Sequence, residues 1–204
     1  MAKRTSEISR KTKETDIKGS LNIDGKGEAD VKTGIGFLDH MLDLFAFHGL
    51  FDLTLKAKGD LEVDMHHTNE DVGISLGLAF KKALGNCRGI KRFGASEVPM
   101  DKARAKVVVD ISNRYAFEKL LLPGLAFPAL GAEEGYTFED GMDFLDSFAK
   151  KLGMNLHVEV SSGSDLHHVL EAVFKAFGIA MDQATQIDAR RKDIPSTKGV
   201  IADE

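Results

Sequence analysis

A short motif, His-His-x-x-Glu, occurs twice in this chain at corresponding positions of an internal repeat. It covers residues 66–70 and again residues 167–171. The segment Asp39–Asp43, moved along by 103 positions, falls on Met142–Asp146, and a gap of two residues in the second copy then aligns the two motifs. A repeat of about 90 residues indicates two copies of one folding unit that bury their apolar faces against each other.

Apolar spacing predicts the elements of each unit. Gly36–His48 and Thr68–Leu84 carry apolar residues at helical spacing, and Phe51–Lys58 alternates as a half-buried strand does. Further strand-like runs precede the helices, at Ile17–Ile23, Glu28–Val31 and Ala103–Ile111. Short strands that alternate with helices predict an α/β (α+β) fold in which helices pack on one face of a sheet.

The length of 204 residues suits one domain. We predict a single domain over residues 1–204, made of two repeats at about 1–95 and about 96–204. The stretch Leu120–Gly135 contains two Pro and three Gly. This composition predicts a linker between the two copies.

Composition excludes several classes of protein. The lone Cys87 rules out a disulfide within the chain and a cysteine-rich zinc site. A net charge of −5 argues against a general binder of nucleic acid or of anionic membranes. No apolar run is long enough for a membrane helix, and the polar, basic N-terminus lacks the apolar core of a secretory signal. We therefore predict a cytoplasmic protein without nucleic-acid or membrane partners.

The spacing of the repeated motif is typical of metal ligands. In a helix, residues i and i+4 share a face, so His66 pairs with Glu70 and His167 pairs with Glu171. The remaining histidine of each pair, His67 or His168, points elsewhere. This geometry suggests two metal ions, each held by an i/i+4 pair from one copy and the divergent histidine from the other.

The ligand types leave the metal open, since imidazole and carboxylate together suit Mn, Fe, Zn, Co or Ni. One such motif alone is more often an ordinary pair of surface or capping histidines. Two motifs at matching positions of a repeat make that explanation much weaker. The sequence therefore favours a dinuclear site.

Further candidate ligands lie upstream of each motif. His40 precedes His66 by 26 residues, and its counterpart in the second copy is Asp143, 24 residues before His167. A metal accepts either side chain, so Asp143 is a plausible equivalent of His40. For His157, on a predicted strand, a hydrogen-bonded core or pocket position is favoured over a ligand role.

Several cations are candidates for binding a phosphate group. Arg92, Arg114 and Lys198 lie at the ends of predicted elements, and Lys175 lies one helical turn beyond Glu171. Guanidinium, ammonium and hydroxyl groups are the usual donors to a phosphate dianion. Taken singly, each of these cations is more often a solvated surface residue.

The whole set of motifs resembles the imidazoleglycerol-phosphate dehydratase family of histidine biosynthesis. The residues that carry the resemblance run in one order from about residue 10 to about residue 200. They are Arg10–Thr15, Phe37–Leu42, His66–Gly73, Val98–Asp101, Leu156–His157, His167–Ala176 and Pro195–Val200.

The resemblance implies a fold, an assembly and a cofactor. The fold is an internally duplicated unit with two mixed β-sheets and paired helices packed between them. The assembly is a homo-oligomer of 24 subunits with shared active sites, and the cofactor is Mn²⁺, two ions per active site. One ion would take His40, His67, His167 and Glu171. The other would take His66, Glu70, His168 and Asp143, where the family pattern has a histidine in place of Asp143.

The implied activity is dehydration of D-erythro-imidazole glycerol phosphate to imidazole acetol phosphate, the reaction of a carbon–oxygen lyase. The resemblance assigns catalytic roles to Glu14, His67 and Glu171. It assigns binding of the phosphate substrate to Glu14, Arg92, Arg114, Lys175, Ser196, Thr197 and Lys198. Two alternatives stay open: a dinuclear hydrolase of a small phosphoester, and a metal-binding scaffold without catalysis.

Overall fold

The computed structural model describes residues 3–122, 125, 135–199 and 201. The first half of the chain contains, in order, β1 (Thr5–Lys11), β2 (Thr15–Asn22), β3 (Ala29–Lys32), α1 (Gly36–Gly49), β4 (Asp52–Gly59) and α2 (Met65–Leu84). The second half contains β5 (Phe93–Met100), β6 (Ala103–Asp110), β7 (Ala116–Leu121), α3 (Phe138–Leu152), β8 (Asn155–Ser162) and α4 (Leu166–Thr185). The two halves therefore have the same order of elements.

The two sheets also share one topology. Their strand orders are β1-β2-β4-β3 and β5-β6-β8-β7, and in each sheet the first two pairs of neighbours are antiparallel while the last pair is parallel. This arrangement confirms the predicted fold class, a duplicated unit with two mixed sheets. We place the division between the copies after α2 and before β5, between Leu84 and Phe93.

The four helices lie between the sheets and pack across the repeat. Helix α1 packs against α4, and α2 packs against α3, so each pair contains one helix from each copy. Small residues allow the close approach. A Cβ atom on Gly178 of α4 would lie 2.5 Å from the carbonyl oxygen of Phe45 in α1, and one on Gly77 of α2 would lie 2.5 Å from that of Phe148 in α3. The two copies thus meet helix to helix, backbone against backbone.

Aromatic side chains fill the space that the helices enclose. Phe45 stacks on Phe177 with ring centroids 4.9 Å apart, and its ring also contacts Phe51, Phe80 and Phe148. All five side chains are fully buried. Because these rings come from both copies, the core is shared, and neither copy has a separate one.

Capping residues set where the motif-bearing helices begin. Helix α2 begins at Met65, three residues before the predicted start, since the Asp64 carboxylate accepts the backbone N–H of His66. Asp165 caps α4 in the same way through the N–H of His168. Both His-His pairs therefore lie in the first turn of a helix, at the edge of the helical layer.

The prediction that Leu120–Gly135 joins the two copies is wrong. Strand β7 extends to Leu121, and the segment after it leads from β7 to α3. It therefore lies inside the second copy, at the place where the first copy connects β3 to α1. Most of the residues between 123 and 134 lie outside the described part.

The sequence patterns also missed three strands, β1, β5 and β7. All three lie at the edges of their sheets. In β1 the inward positions include Ser6, whose hydroxyl donates to the carbonyl oxygen of Ala79, and β5 contains Pro99. Edge strands tolerate polar residues and Pro, which weaken the apolar alternation. None of the helices in the described part is both long and apolar enough to cross a membrane.

Candidate metal centre

Three predicted ligands converge where α1 packs on α4. The Nε2 atom of His40 lies 3.0 Å from Oε1 of Glu171, and the Nε2 atom of His167 lies 3.2 Å from the same oxygen. The ligand atoms of all three residues lie within 4.8 Å of one another. Among the described residues, these are the three side chains that lie close enough together to hold one metal ion. It combines α1 of the first copy with α4 of the second.

These distances suit a divalent ion. Ligand atoms about 2.1 Å from a metal at right angles to each other lie about 3 Å apart. Each imidazole nitrogen meets this spacing with the carboxylate oxygen of Glu171. His167 is also held by the Phe37 ring, which it meets edge-on with centroids 5.0 Å apart. The donor set, two nitrogens and an oxygen without thiolate, fits Mn²⁺ as well as other borderline or hard cations.

Lys175 is hydrogen-bonded to the other carboxylate oxygen of Glu171. Its ammonium donates to Oε2 at 2.6 Å and lies 3.3 Å from the sulfur of Met100. Burial by itself raises the pKa of the Glu171 carboxyl, but hydrogen bonds from Lys175 and His40 outweigh burial and lower the pKa to about 2. The carboxylate is therefore ionised at neutral pH and available as a ligand.

The pseudo-equivalent residues of the α2–α3 pair form a looser cluster. The Nδ1 atom of His66 lies 3.8 Å from Oδ2 of Asp143, and about half of each side chain is exposed. Partial burial raises the pKa of Asp143, and the charge of His66 opposes that rise. Glu70, one turn along α2, is exposed. Asp143, the predicted counterpart of His40, thus lies near His66, a histidine predicted to bind the same metal.

The divergent histidines join neither cluster. The Nδ1 atom of His67 lies 3.1 Å from Oδ2 of Asp60, and the Nδ1 atom of His168 lies 3.8 Å from both Asp165 and Asp101. Each chain thus assembles three of the four residues predicted for one metal and two of the four predicted for the other. The predicted pairing of each cluster with a divergent histidine does not form within the described part of one chain.

Glu14 lies at the turn of the β1–β2 hairpin, near His67. The hydroxyl of Thr12 accepts the backbone N–H groups of Glu14 and Thr15, which closes the turn. The pKa of His67 is raised, chiefly by its hydrogen bond to Asp60 and further by the negative charge of Glu14. The exposed Glu14 carboxylate thus lies close enough to the divergent histidine of the first motif to act on it through its charge.

A buried carboxylate ties this hairpin to α2. Asp71, one turn beyond His67, accepts two hydrogen bonds from the Arg10 guanidinium and one from the hydroxyl of Thr15. Arg10 is the next-to-last residue of β1, and Thr15 begins β2. Asp71 therefore holds the loop with Glu14 against the helix that carries His67.

The predicted phosphate ligands, apart from Lys175, gather at the other end of the second sheet. Arg92 makes a two-pronged pair with Asp110 and donates to the carbonyl oxygen of Pro195. It thereby anchors the segment with Ser196, Thr197 and Lys198, of which Thr197 and Lys198 are exposed. Arg114, also exposed, follows β6 near the same end.

This group lies far from the metal cluster of the same chain. The backbone N–H of Arg92 bonds to the carbonyl oxygen of Ala184, near the end of α4, whereas Glu171 lies near its start. A helix rises about 1.5 Å per residue, so the two groups are separated by on the order of 20 Å. Only Lys175 lies beside the cluster.

His157 does not occupy the core or pocket position predicted for it. It lies on β8 with its side chain exposed, because its position in the alternation points away from the helices. Sequence reasoning also missed Asp60, the partner of the predicted ligand His67, and Asp71, which holds the hairpin that carries Glu14. Asp71 lies within the His66–Gly73 motif, four residues after His67, and that spacing was the available signal.

Comparisons with known proteins identify the family that the chain resembles. The profile of the family described as imidazoleglycerol-phosphate dehydratase matches residues 33–181. The imidazoleglycerol-phosphate dehydratase of Thermoanaerobacter sp. (strain X514) is 56% identical over 200 residues, 97% of this chain and 100% of that protein. The Bacillus subtilis (strain 168) protein of the same name is 52% identical, also over 97% of this chain and 100% of its own length.

Two solved structures share the fold. The imidazoleglycerol-phosphate dehydratase of Staphylococcus aureus subsp. aureus N315 matches with a TM-score of 0.77 and 29% identity, covering 90% of this chain and 99% of that one. The enzyme from Pyrococcus furiosus in complex with (S)-C348 matches with a TM-score of 0.78 and 36% identity, covering 95% and 99%. With a family profile that covers most of the chain and relatives that match over nearly its full length, the chain belongs to the imidazoleglycerol-phosphate dehydratase family.

Proposed function

We propose that this protein dehydrates D-erythro-imidazole glycerol phosphate to imidazole acetol phosphate, as a cytoplasmic enzyme of histidine biosynthesis. The observation that carries the proposal is the convergence of His40, His167 and Glu171 between two helices of a chain from this family. This cluster can hold a metal that binds an imidazole ring, and the substrate supplies such a ring.

Two Mn²⁺ ions per active site form part of the proposal. His40, His167 and Glu171 would hold one, and His66, Glu70 and Asp143 would contribute to the other, with His67 and His168 as the remaining ligands. When bound, such ions supply Lewis-acid stabilisation of negative charge that develops on the substrate. In the first set, the Nε2 atoms of His40 and His167 lie 3.0 and 3.2 Å from Oε1 of Glu171, the spacing of neighbouring ligands around one ion.

The reaction removes a hydroxyl group from the carbon attached to the ring and a hydrogen from the middle carbon of the chain. The enol that remains becomes the ketone of the product. Glu14 is the carboxylate that we assign to proton transfer, since it is exposed at the hairpin turn and its charge raises the pKa of His67. The Arg10–Asp71 ion pair holds that turn in place.

Phosphate binding would orient the reacting carbons. Lys175 lies beside the metal cluster, and Arg114, Ser196, Thr197 and Lys198 supply further donors to the dianion. Arg92 contributes by holding Pro195, and with it the segment that follows. Loss of Lys175 should mainly raise KM, whereas loss of Glu171 should abolish turnover.

A site shared between copies follows from the distances. A three-carbon substrate cannot reach from Glu171 to the Arg92 group, on the order of 20 Å away along α4. A second copy of the chain can bring its own Arg92 group, or its His67, to the cluster. The loop before His67 also exposes Leu61 and Val63, the latter 70% exposed, and exposed apolar residues of this kind favour a protein contact. We therefore propose a homo-oligomer, of 24 subunits by resemblance.

The test is a chelation and add-back assay on the full-length protein. Metal-stripped protein should be inactive, and Mn²⁺ should restore formation of imidazole acetol phosphate. The Glu171→Gln variant should keep the fold but lose metal and turnover. Full activity and an unchanged metal content in that variant would overturn the assignment.

The same assay separates the alternatives. Release of inorganic phosphate from the substrate would identify a metallohydrolase. Metal-loaded protein without turnover would identify a scaffold. Glu14 beside His67 and Lys175 beside Glu171 argue against the scaffold, because a metal store needs neither a proton carrier nor a phosphate ligand.

A further inference from the structure

The one divergent histidine with a direct carboxylate partner is His67, among the residues that the structure describes. Its Nδ1 atom lies 3.1 Å from Oδ2 and 3.4 Å from Oδ1 of Asp60. Both side chains are about two-thirds buried or more. His168 has no equivalent contact within hydrogen-bonding distance, since Asp165 and Asp101 lie 3.8 Å away.

Hydrogen bonds also fix the backbone of Asp60. Asp60 follows β4 directly, and its carbonyl oxygen accepts the backbone N–H groups of Val63, at 2.8 Å, and Asp64, at 3.4 Å. Asp64 in turn caps α2. The turn that closes on Asp60 therefore leads into the helix that carries His67, and the carboxylate and the ring have a defined separation.

The contact determines which ring nitrogen can bind a metal. An ionised carboxylate only accepts hydrogen bonds, so the proton of the bond must be on Nδ1 of His67. Nε2 then carries the lone pair and points away from Asp60. His40 and His167 also present Nε2 to their cluster. Carboxylate partners of this kind orient metal-binding histidines and increase their basicity.

We propose that Asp60 is a positioning residue for His67: it keeps the proton on Nδ1 and directs Nε2 outward, toward the His40–His167–Glu171 cluster of a neighbouring copy. The inference rests on the proposed role of His67 as a ligand. It adds a residue of the β4–α2 loop that touches neither metal nor substrate.

The test is the affinity of the metal-stripped full-length protein for Mn²⁺, measured by the electron paramagnetic resonance signal of the free ion. Asp60→Ala should weaken binding about 10- to 100-fold, which is the usual cost of losing a carboxylate behind a metal-bound histidine. Asp60→Glu should recover part of that loss. The matched control is Glu62→Gln, which removes one negative charge from the same loop at an exposed position and should leave the affinity unchanged.

A double-mutant cycle separates positioning from other effects. His67→Ala should weaken Mn²⁺ binding, and Asp60→Ala should cost nothing further in that background, because its effect passes through His67. An undiminished loss from Asp60→Ala in the His67→Ala background would overturn the positioning role. So would an unchanged affinity of Asp60→Ala in the parent protein. If His67→Ala itself binds Mn²⁺ as the parent does, the ligand assignment in the proposed function fails, and the role of Asp60 fails with it.

Discussion

The glycine at the crossing of α1 and α4 should couple stability to metal binding. In Gly178→Ala the new Cβ atom would lie 2.5 Å from the carbonyl oxygen of Phe45 and 3.0 Å from the backbone nitrogen of Gly49, whereas ordinary contact begins at 3.4 Å. Backbone atoms cannot rotate away, so the helices must move apart by up to about 0.9 Å. Such overpacking costs about 1–3 kcal/mol, which for a chain of this size lowers the melting temperature by about 2–12 °C.

The same displacement reaches the metal cluster, because α1 carries His40 and α4 carries Glu171. A binding site tolerates misplacement of only about 0.5 Å, so Mn²⁺ affinity should fall together with stability. Thermal unfolding of the metal-stripped protein and Mn²⁺ titration measure the two effects. The control is Gly36→Ala, at the first residue of α1, where a Cβ atom meets nothing within 4 Å and stability should stay equal or rise slightly. A Gly178→Ala variant that matches the parent in melting temperature and in Mn²⁺ affinity would refute the reasoning.

Three further outcomes follow from packing and charge. Phe45→Ala should lower the free energy of unfolding by about 3–5 kcal/mol in urea titrations, because a fully buried ring leaves a cavity among four others. The pKa of Glu171, lowered to about 2 from an ordinary 4.5, means that this carboxylate stabilises the metal-free protein fully above about pH 4.5 and loses that contribution as the pH falls toward 2. Lys175→Met should flatten this loss in urea titrations at acid pH, since it removes a cause of the lowered pKa. Burial raises the pKa of the Cys87 thiol, so iodoacetamide should alkylate the folded protein far more slowly than the unfolded one, and equal rates would contradict its buried position.

Much of the fold could be predicted because it repeats. The shift that aligns Asp39–Asp43 with Met142–Asp146 also aligns α1 with α3, and both halves have one strand order. What the patterns could not show was the pairing of α1 with α4 and of α2 with α3. Periodicity identifies an apolar face but not the helix that covers it. The edge strands β1, β5 and β7 were missed for a related reason, since an edge strand pairs with a single neighbour and tolerates breaks in the apolar alternation.

In the candidate site, too, some contacts could be predicted from the sequence and others could not. The spacing of His167 and Glu171 predicted a shared face, and their atoms lie 3.2 Å apart. Adding His40 to that pair needed the repeat and the resemblance, because residues on separate helices have no fixed spacing in sequence. Asp60 is harder still, since a turn carries neither helical nor strand periodicity. Its role depends on a contact between a loop and a helix, which only the folded chain displays.

The cross-packing gives the duplication a chemical consequence. The first cluster takes His40 from α1 of one copy and its i/i+4 pair from α4 of the other, and the second joins His66 of α2 to Asp143 of α3. A single copy could therefore form neither cluster, and divergence of the two copies changes the two clusters separately. The α1–α4 cluster has a buried glutamate with Lys175 at its second oxygen, whereas the α2–α3 cluster has an exposed glutamate and Asp143 in place of a histidine. Two sites derived from one template thus differ in charge and exposure. On the proposed two-metal site, a chelator titration followed by metal analysis should therefore strip the second cluster at lower chelator concentrations than the first.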